Sequence, residues 1–227
     1  MQSNWMVNPS LAKAVEESYN DLLTFGTNDG VMDKMPKTKI DKLVKRIHPE
    51  IFRVPLFRRQ FCKMLMDEIP KMQKHIGFTP NPHEDKLRQI PEITLRDNCP
   101  ELYRSMWFVV HTILNPIFIS LYQRKISHAS TIQIANYNLK DKKQGAWHHD
   151  ESADISVVVP LNTGKYKGGG TEFHNYGKVN PLPTGHALIF PSFSQMHRGL
   201  PVEGGDRYLL VFWLYDKERA VELAQAP

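Results

Sequence analysis

The chain has 227 residues, of which 41% are hydrophobic and 23% charged, the composition of a globular protein rather than a disordered one. This length predicts a single domain with a sizeable core. The net charge of +5 allows acidic partners but does not require them. The sequence predicts no membrane span, since no apolar run approaches about eighteen residues, and its start, MQSNWMVNPS, lacks signal-peptide features.

The two cysteines, Cys62 and Cys99, lie far apart in the sequence, and Cys62 falls within a predicted helix. So few cysteines do not form the disulfide framework of a secreted protein. A reducing compartment is therefore expected, and we predict a cytoplasmic protein.

Residues 1–128 are predicted to be a mostly helical support region. In residues 37–48, apolar side chains recur at helical spacing opposite lysines, which predicts a solvated amphipathic helix. A second helix is predicted over 56–68, with Pro70 ending or kinking it. Residues 89–96 read as a strand at the edge of a sheet.

A long apolar segment, residues 100–122, is predicted to be a buried helix that breaks near Pro116. We expect this helix to support the outside of the larger sheet.

Residues 129–216 show a different pattern, with short β-branched or aromatic runs separated by glycine and proline turns. Many short strands at near-regular intervals predict an antiparallel sandwich or jelly roll. The expected strands are a run within 152–162, a short aromatic strand at 171–174, and the apolar runs 186–191 and 207–215.

Two histidine-containing clusters lie in this region, His148-His149-Asp150 and a second cluster that includes His197. In a strand, successive side chains point to opposite faces, so His148 and Asp150 are expected to converge while His149 points away. We place His197 at the start of a later strand. Two imidazoles and one carboxylate on one face of a metal form the facial triad of non-haem Fe(II) oxygenases.

The surrounding motifs follow one order along the chain. They are His148-His149-Asp150, Leu161-Asn162, Gly168-Gly169-Gly170-Thr171-Glu172-Phe173, the segment 185–191, His197-Arg198-Gly199-Leu200-Pro201 and Asp206-Arg207-Tyr208. This region resembles the double-stranded β-helix, a cupin-like jelly roll, of Fe(II)/2-oxoglutarate dioxygenases in the branch of procollagen lysyl hydroxylases and prolyl 4-hydroxylases. The resemblance implies one dioxygenase domain over 1–227, mainly β with N-terminal helices (α+β), whose β-helix core spans 129–216.

The resemblance also implies roles for individual residues. His148, Asp150 and His197 match the iron ligands. Arg207, ten residues after the second histidine ligand, matches the arginine that binds the far carboxylate of 2-oxoglutarate, and Tyr137, eleven residues before the first ligand, matches a tyrosine that bonds the same carboxylate. A guanidinium is chemically suited to this role because it can bind a carboxylate through two parallel hydrogen bonds.

The reaction implied by the resemblance is hydroxylation by O2, coupled to decarboxylation of 2-oxoglutarate to succinate, with ascorbate keeping the iron reduced. The implied substrate is a peptidyl lysine or proline of a protein partner. Glu151, Asp154 and Glu172 lie just beyond the ligands in the sequence and are candidates to receive a lysine ammonium ion.

Two alternatives stay open. Loop lysines beside the site suit phosphates, so the same chemistry on a nucleic-acid base, or on a free amino acid, is one alternative. No groove-reading motif or set of stacking aromatics accompanies these lysines, which are Lys140, Lys142, Lys143, Lys165 and Lys167. The other alternative is a catalytically silent jelly-roll binding module, against which the complete triad and Arg207 argue.

Overall fold

The computed structural model of the protein describes residues 5–25, 38–80 and 89–216. The helices in these ranges are α1 (Pro9–Phe25), α2 (Arg59–His75), α3 (Leu95–Asn98), α4 (Pro100–Val109) and α5 (Asn115–Tyr122). The strands of the N-terminal half are β1 (Lys45–His48), β2 (Ile51–Pro55), β3 (Thr79–Pro80) and β4 (Pro91–Thr94). The later strands are β5 (His128–Tyr137), β6 (Ile155–Pro160), β7 (Lys167–Gly168), β8 (Thr171–Phe173), β9 (Gly177–Val179), β10 (His186–Pro191), β11 (His197–Gly199), β12 (Val202–Gly204) and β13 (Arg207–Tyr215).

The strands form one large sheet and two small ones. The large sheet has the order β1-β2-β10-β6-β13-β5-β4-β3, with antiparallel neighbours throughout. The small sheets have the orders β11-β8-β9 and β12-β7. The predicted mainly β fold with N-terminal helices is confirmed, and the N-terminal half also completes both edges of the large sheet.

The two faces of the large sheet are chemically different because side chains alternate along each strand. On β13, Leu210, Phe212 and Leu214 belong to the main apolar core, together with side chains of the helices. Leu209 and Val211 point to the other face and line a cavity. The large sheet therefore has a helix-covered face and a face that is available for a site.

The segment Pro100–Tyr122 runs on through Pro116, so the predicted break there is wrong. A π-helical turn, Val110–Leu114, joins α4 to α5 directly before the proline. In an α-helix the proline ring collides with the carbonyl four residues earlier, and the wider π turn relieves this collision.

The same segment is long and apolar enough to qualify as a candidate membrane span by length and composition, which the sequence expectation had excluded. Its most apolar window has a mean hydropathy of 1.3 and is 50% buried inside the protein. Core helices pass the same test, and Ile117 and Phe118 pack in the main core, so this single segment is weak evidence for a span.

Two other predictions for the N-terminal half need correction. Residues 37–48 were predicted to be an amphipathic helix, but the described part of this segment contains only the 3-10 turn Ile40–Lys42 before it becomes the edge strand β1. Pairing with β2 overrides the helical spacing, and the basic side chains of β1 suit an exposed sheet edge. Helix α2 begins at Arg59 rather than at 56 and continues to His75, so Pro70 does not end it and lies on its exposed side.

The strand predicted over 89–96 is shorter, since it forms β4 and then turns into α3. It lies one position in from the sheet edge, because β3 pairs with its outer side.

Candidate metal centre

Three side chains meet at one end of the jelly roll. The ligand-type atoms of His148, Asp150 and His197 all lie within 4.8 Å of one another. Nε2 of His148 is 3.3 Å from Oδ1 of Asp150, and Nε2 of His197 is 3.6 Å from Oδ2. The predicted convergence of the three residues is therefore present in the structure.

The backbone that produces this convergence is not the predicted strand. His148 forms an isolated antiparallel bridge with His197, the first residue of β11, through backbone hydrogen bonds of 3.0 and 2.9 Å. Asp150 lies two residues after the bridge and opens the next turn, where its carbonyl accepts the N–H of Ala153 at 3.0 Å. His149 points elsewhere, with its ring centroid 6.2 Å from that of Phe193.

The two imidazole rings are oriented by backbone carbonyls. Nδ1 of His148 is 2.9 Å from the carbonyl oxygen of Ala146, and Nδ1 of His197 is 2.9 Å from that of Gln195. Because a carbonyl only accepts, each Nδ1 carries the hydrogen, and each Nε2 keeps its lone pair for the centre.

A buried chain of hydroxyl groups fixes the carboxylate. Ser156 Oγ donates to Oδ2 of Asp150, and Ser192 Oγ lies 2.8 Å from Ser156 Oγ. Since the Ser156 proton is used on the carboxylate, Ser192 donates to Ser156. Both serines are 0% exposed, whereas Oδ1 of Asp150 accepts no hydrogen bond from the described residues. The hydroxyl chain thus occupies Oδ2 and leaves Oδ1 as the oxygen available to a cation.

The electrostatics of the three residues suit a divalent metal. Burial, aided by the nearby His148, lowers the pKa of His197 to about 4 even though the adjacent Asp150 carboxylate acts to raise it. Burial alone raises the pKa of Asp150, but the adjacent His197 and His148 and the Ser156 hydrogen bond hold it below its ordinary value. At neutral pH the carboxylate is ionised and the imidazole of His197 is neutral, which are the protonation states that metal ligation requires. Two imidazole nitrogens and a carboxylate oxygen fit Fe(II).

Arg207 and Tyr137 lie on the same cavity as the triad, which has a volume of about 60 Å³. They are register partners on β13 and β5, and the Arg207 guanidinium carbon is 5.2 Å from the Tyr137 ring centroid. Arg207 is only 3% exposed, yet its Nε and Nη1 atoms have no hydrogen-bond partner among the described residues. A buried cation with unfilled donors is costly, so the cavity is built for an anion beside a metal.

Residues 132–215 match the sequence profile of the 2OG-Fe(II) oxygenase superfamily. This segment is a 2OG-Fe(II) oxygenase domain.

Among curated proteins, this chain is similar to procollagen hydroxylases. It is 26% identical over 183 residues to the multifunctional procollagen lysine hydroxylase and glycosyltransferase LH3 of Rattus norvegicus, covering 74% of this chain and 24% of that protein. It is 20% identical over 183 residues to human procollagen-lysine,2-oxoglutarate 5-dioxygenase 2, covering 77% of this chain and 25% of the relative. The chain thus spans about a quarter of the length of these curated relatives.

Solved structures share the fold. A prolyl 4-hydroxylase of Phytophthora capsici superposes with a TM-score of 0.59 at 18% identity, covering 93% of this chain and 70% of that one. A Trichoplax adhaerens prolyl hydroxylase, solved with a peptide fragment of the oxygen degradation domain of hypoxia inducible factor, gives a TM-score of 0.62 at 12% identity and covers 96% of both chains. These neighbours confirm the predicted jelly roll.

The remaining walls of the oxygenase cavity come from alternate residues of the strands. Leu209, Val211 and Trp213 of β13 line it, together with Gln133 of β5. Position 199 requires a glycine, because a Cβ added there would lie only 2.7 Å from the Tyr137 hydroxyl oxygen. Sequence reasoning missed Gln133, Trp213 and the two serines, although the period-2 alternation of β13 placed Trp213 on the same face as Arg207.

Two of the acidic residues proposed to receive a lysine, Glu172 and Asp154, have other partners in the structure. The Arg198 guanidinium lies 2.6 and 2.7 Å from Oε2 of Glu172 and 4.6 Å above the Trp147 ring. Asp154 accepts the backbone N–H of residue 216 at 2.9 Å and lies 3.7 Å from Arg124. The geometry therefore does not favour Glu172 or Asp154 as a receiver of a substrate ammonium ion.

Proposed function

We propose that this protein is an Fe(II)- and 2-oxoglutarate-dependent dioxygenase that hydroxylates a peptidyl lysine or proline and releases succinate. One observation carries the proposal, namely a buried cavity that joins a two-histidine, one-carboxylate cluster to a guanidinium with unfilled donors. His148, Asp150 and His197 would hold the iron, and Arg207 with Tyr137 would hold the far carboxylate of 2-oxoglutarate.

The iron, when bound, supplies the activation of O2 for the oxidation. The protein itself has three tasks. The two imidazoles and Oδ1 of Asp150 would hold the iron through two nitrogens and one oxygen. Arg207 would hold the far carboxylate of the cosubstrate by charge-assisted hydrogen bonds. Leu209 and Val211 exclude water from the space between the two ends.

Two observations support a protein side chain as the substrate. The names of the curated relatives specify procollagen lysine, and one structural neighbour was solved with a peptide fragment. Within this chain, Arg198 already neutralises Glu172 beside the triad, which favours an uncharged target such as proline over a lysine ammonium ion.

The cellular conditions belong to the same proposal. Ascorbate would keep the iron reduced, and the protein would work in a reducing compartment such as the cytoplasm. The two cysteines are free, which suits a reducing compartment.

The test is a set of parallel reactions of the purified protein with Fe(II), 2-oxoglutarate, ascorbate and O2. The candidate substrates are proline-containing peptides, lysine-containing peptides, single-stranded nucleic acid and free amino acids, with Asp150→Ala as the inactive control. We expect one class of peptide to gain one oxygen atom, by mass spectrometry, for each succinate formed.

Other outcomes would contradict specific parts of the proposal. Oxygen added only to nucleic acid or to a free amino acid would keep the chemistry and overturn the substrate class. A protein that binds iron but forms neither succinate nor product would be a silent binding module.

A further inference from the structure

We infer that Tyr166 is an additional cosubstrate-binding residue, whose phenol hydroxyl donates a hydrogen bond to the same carboxylate that Arg207 binds. This inference rests on the proposed function, and it adds a residue that neither the motif pattern nor the strand pattern singled out.

The hydroxyl of Tyr166 is buried but has no hydrogen-bond partner among the described residues. The residue itself lies in the loop between β6 and β7, with its ring only partly exposed. A tyrosine hydroxyl removed from water normally has a partner, and leaving it without one is destabilising. The protein therefore tolerates an unfilled donor at this position, as it does on Arg207.

Tyr166 and Arg207, the two residues with unfilled donors, line the same cavity. Both residues line a small cavity of about 20 Å³, whose lining residues include Thr171 and Gly170. Arg207 and Thr171 also line the larger cavity that holds the triad. The two cavities therefore adjoin at Arg207 and Thr171, and Tyr166 lines the smaller one.

Gly169 shows how closely the two side chains approach. It has a φ of +76°, and an added Cβ would lie 3.0 Å from Cε2 of Tyr166 and 3.1 Å from Cδ of Arg207. Both side chains therefore pack against the same point of the backbone, and only a glycine allows this arrangement.

A side chain of the loop that carries Tyr166 bonds to the backbone around Arg207. Asn162, at the start of the loop that carries Tyr166, donates to the carbonyl of Asp206 at 2.8 Å and accepts the N–H of Tyr208 at 3.1 Å. These two bonds flank Arg207 on both sides. The loop that carries Tyr166 is thus tied to the backbone on both sides of Arg207.

The charge of the small cavity favours an anion. The residues that line the small cavity include Arg207 but no acidic side chain. A carboxylate offers about four lone-pair sites, more than a guanidinium fills with two parallel bonds. The Tyr166 hydroxyl supplies a further donor of the correct kind.

The test compares the binding of two 2-oxo acids to the Mn(II)-loaded full chain by titration calorimetry. 2-Oxoglutarate carries the far carboxylate, whereas 2-oxobutyrate has the same keto acid end without it. Tyr166→Phe is expected to weaken 2-oxoglutarate binding about 10- to 100-fold, because it removes a hydrogen bond to a charged group. It should leave 2-oxobutyrate binding and Mn(II) affinity unchanged, and it should not lower the melting temperature, because the hydroxyl has no hydrogen-bond partner among the described residues.

Two further variants serve as the control and as the reference for a large effect. Tyr176→Phe is the matched control, because the ring of Tyr176 stacks on His48 and does not line either cavity. It should bind both acids as the wild type does. Arg207→Met should weaken 2-oxoglutarate binding more strongly than Tyr166→Phe.

The outcomes separate this inference from the proposed function. If Tyr166→Phe binds 2-oxoglutarate normally while Arg207→Met does not, the hydroxyl serves only a water molecule and the inference is overturned. An equal loss of affinity for both acids would also overturn it, since the role of Tyr166 would then be structural. If the wild-type protein binds no 2-oxoglutarate, the inference and the proposed function are both wrong.

Discussion

The two faces of the large sheet carry opposite kinds of side chain, although the same strands form both. The helix-covered face is apolar, as at Ile134, Val157 and Phe212, which are all 0% exposed. The cavity face holds Ser156 and Arg207, which are also buried, at 0% and 3% exposed, but are polar or charged.

This contrast separates stability from function along a single strand. Burial on the helix face stabilises the fold by roughly 25 cal/mol for each Å² of apolar surface removed from water. On the cavity face, Nε and Nη1 of Arg207 and Oδ1 of Asp150 keep hydrogen-bonding capacity that the described residues do not fill. Buried polar atoms without partners lower the stability of the ligand-free protein, and ligands that bond to them restore this stability. Substitutions on the two faces should therefore give different phenotypes.

The largest effect is expected for Asp150→Ala, which should abolish iron binding and turnover while the protein stays folded. The change removes the carboxylate of the ligand set and does not touch the helix-face core. Metal titration by calorimetry, combined with a melting curve, checks both parts. His128→Ala removes an exposed histidine on β5 and should retain wild-type behaviour. If Asp150→Ala bound the metal with wild-type affinity, the assignment of Asp150 as a metal ligand would be wrong.

Phe212→Ala should lower the free energy of unfolding by about 3–5 kcal/mol, the usual cost of deleting a fully buried aromatic ring. Its turnover per folded molecule at low temperature should stay close to wild type. The neighbouring Trp213→Ala, on the cavity face, should show the reverse pattern, with less lost stability and lower turnover. Urea unfolding and turnover assays on both variants test the comparison, and an inverted pattern would refute it.

Arg207→Met should raise the 2-oxoglutarate requirement on the order of 100-fold, equivalent to about 2.7 kcal/mol, because it removes charge-assisted hydrogen bonds. The maximal rate at saturating cosubstrate and the metal affinity should change much less. Initial rates over a range of 2-oxoglutarate concentrations measure this separation. Arg104→Met, at an exposed arginine paired with Glu101, is the control. An unchanged requirement in Arg207→Met would refute the role given to this residue.

The smallest effect is expected for Ser156→Ala, which should weaken metal binding about 10-fold, as loss of a hydrogen bond to a metal ligand commonly does. Without the hydroxyl, Oδ2 of Asp150 loses its donor and the carboxylate is free to turn. Ser192→Ala acts one bond further away and should have a weaker effect. Competition with a chelator measures both affinities. Equal metal affinities in the wild type and Ser156→Ala would show that the hydroxyl chain does not position the Asp150 carboxylate.

The sequence predicted the cavity face better than its surroundings. Strands 186–191 and 207–215 have the predicted bounds, because apolar runs bounded by glycine turns leave little ambiguity. The triad, Arg207 and Tyr137 were found by motif order and spacing, and the structure brings all five to one cavity.

What the sequence did not predict depends on contacts between distant residues. Ser156 lies in an apolar run, and its partner Ser192 is 36 residues away, so nothing local marks the hydroxyl chain. Tyr166 looks like an ordinary loop residue until its cavity is seen. The helical spacing of 37–48 was misleading because pairing with β2 decides the conformation of β1. Local patterns report the face a residue occupies, whereas the tertiary fold decides its partner.

The most direct test of the central claim is formation of succinate from 2-oxoglutarate by the wild-type protein, with and without Fe(II). Slow formation is expected even without a substrate, dependent on iron and O2. It should be absent in Asp150→Ala and restored in Arg207→Met only at high 2-oxoglutarate. No succinate from wild-type protein with iron demonstrably bound would contradict the dioxygenase assignment.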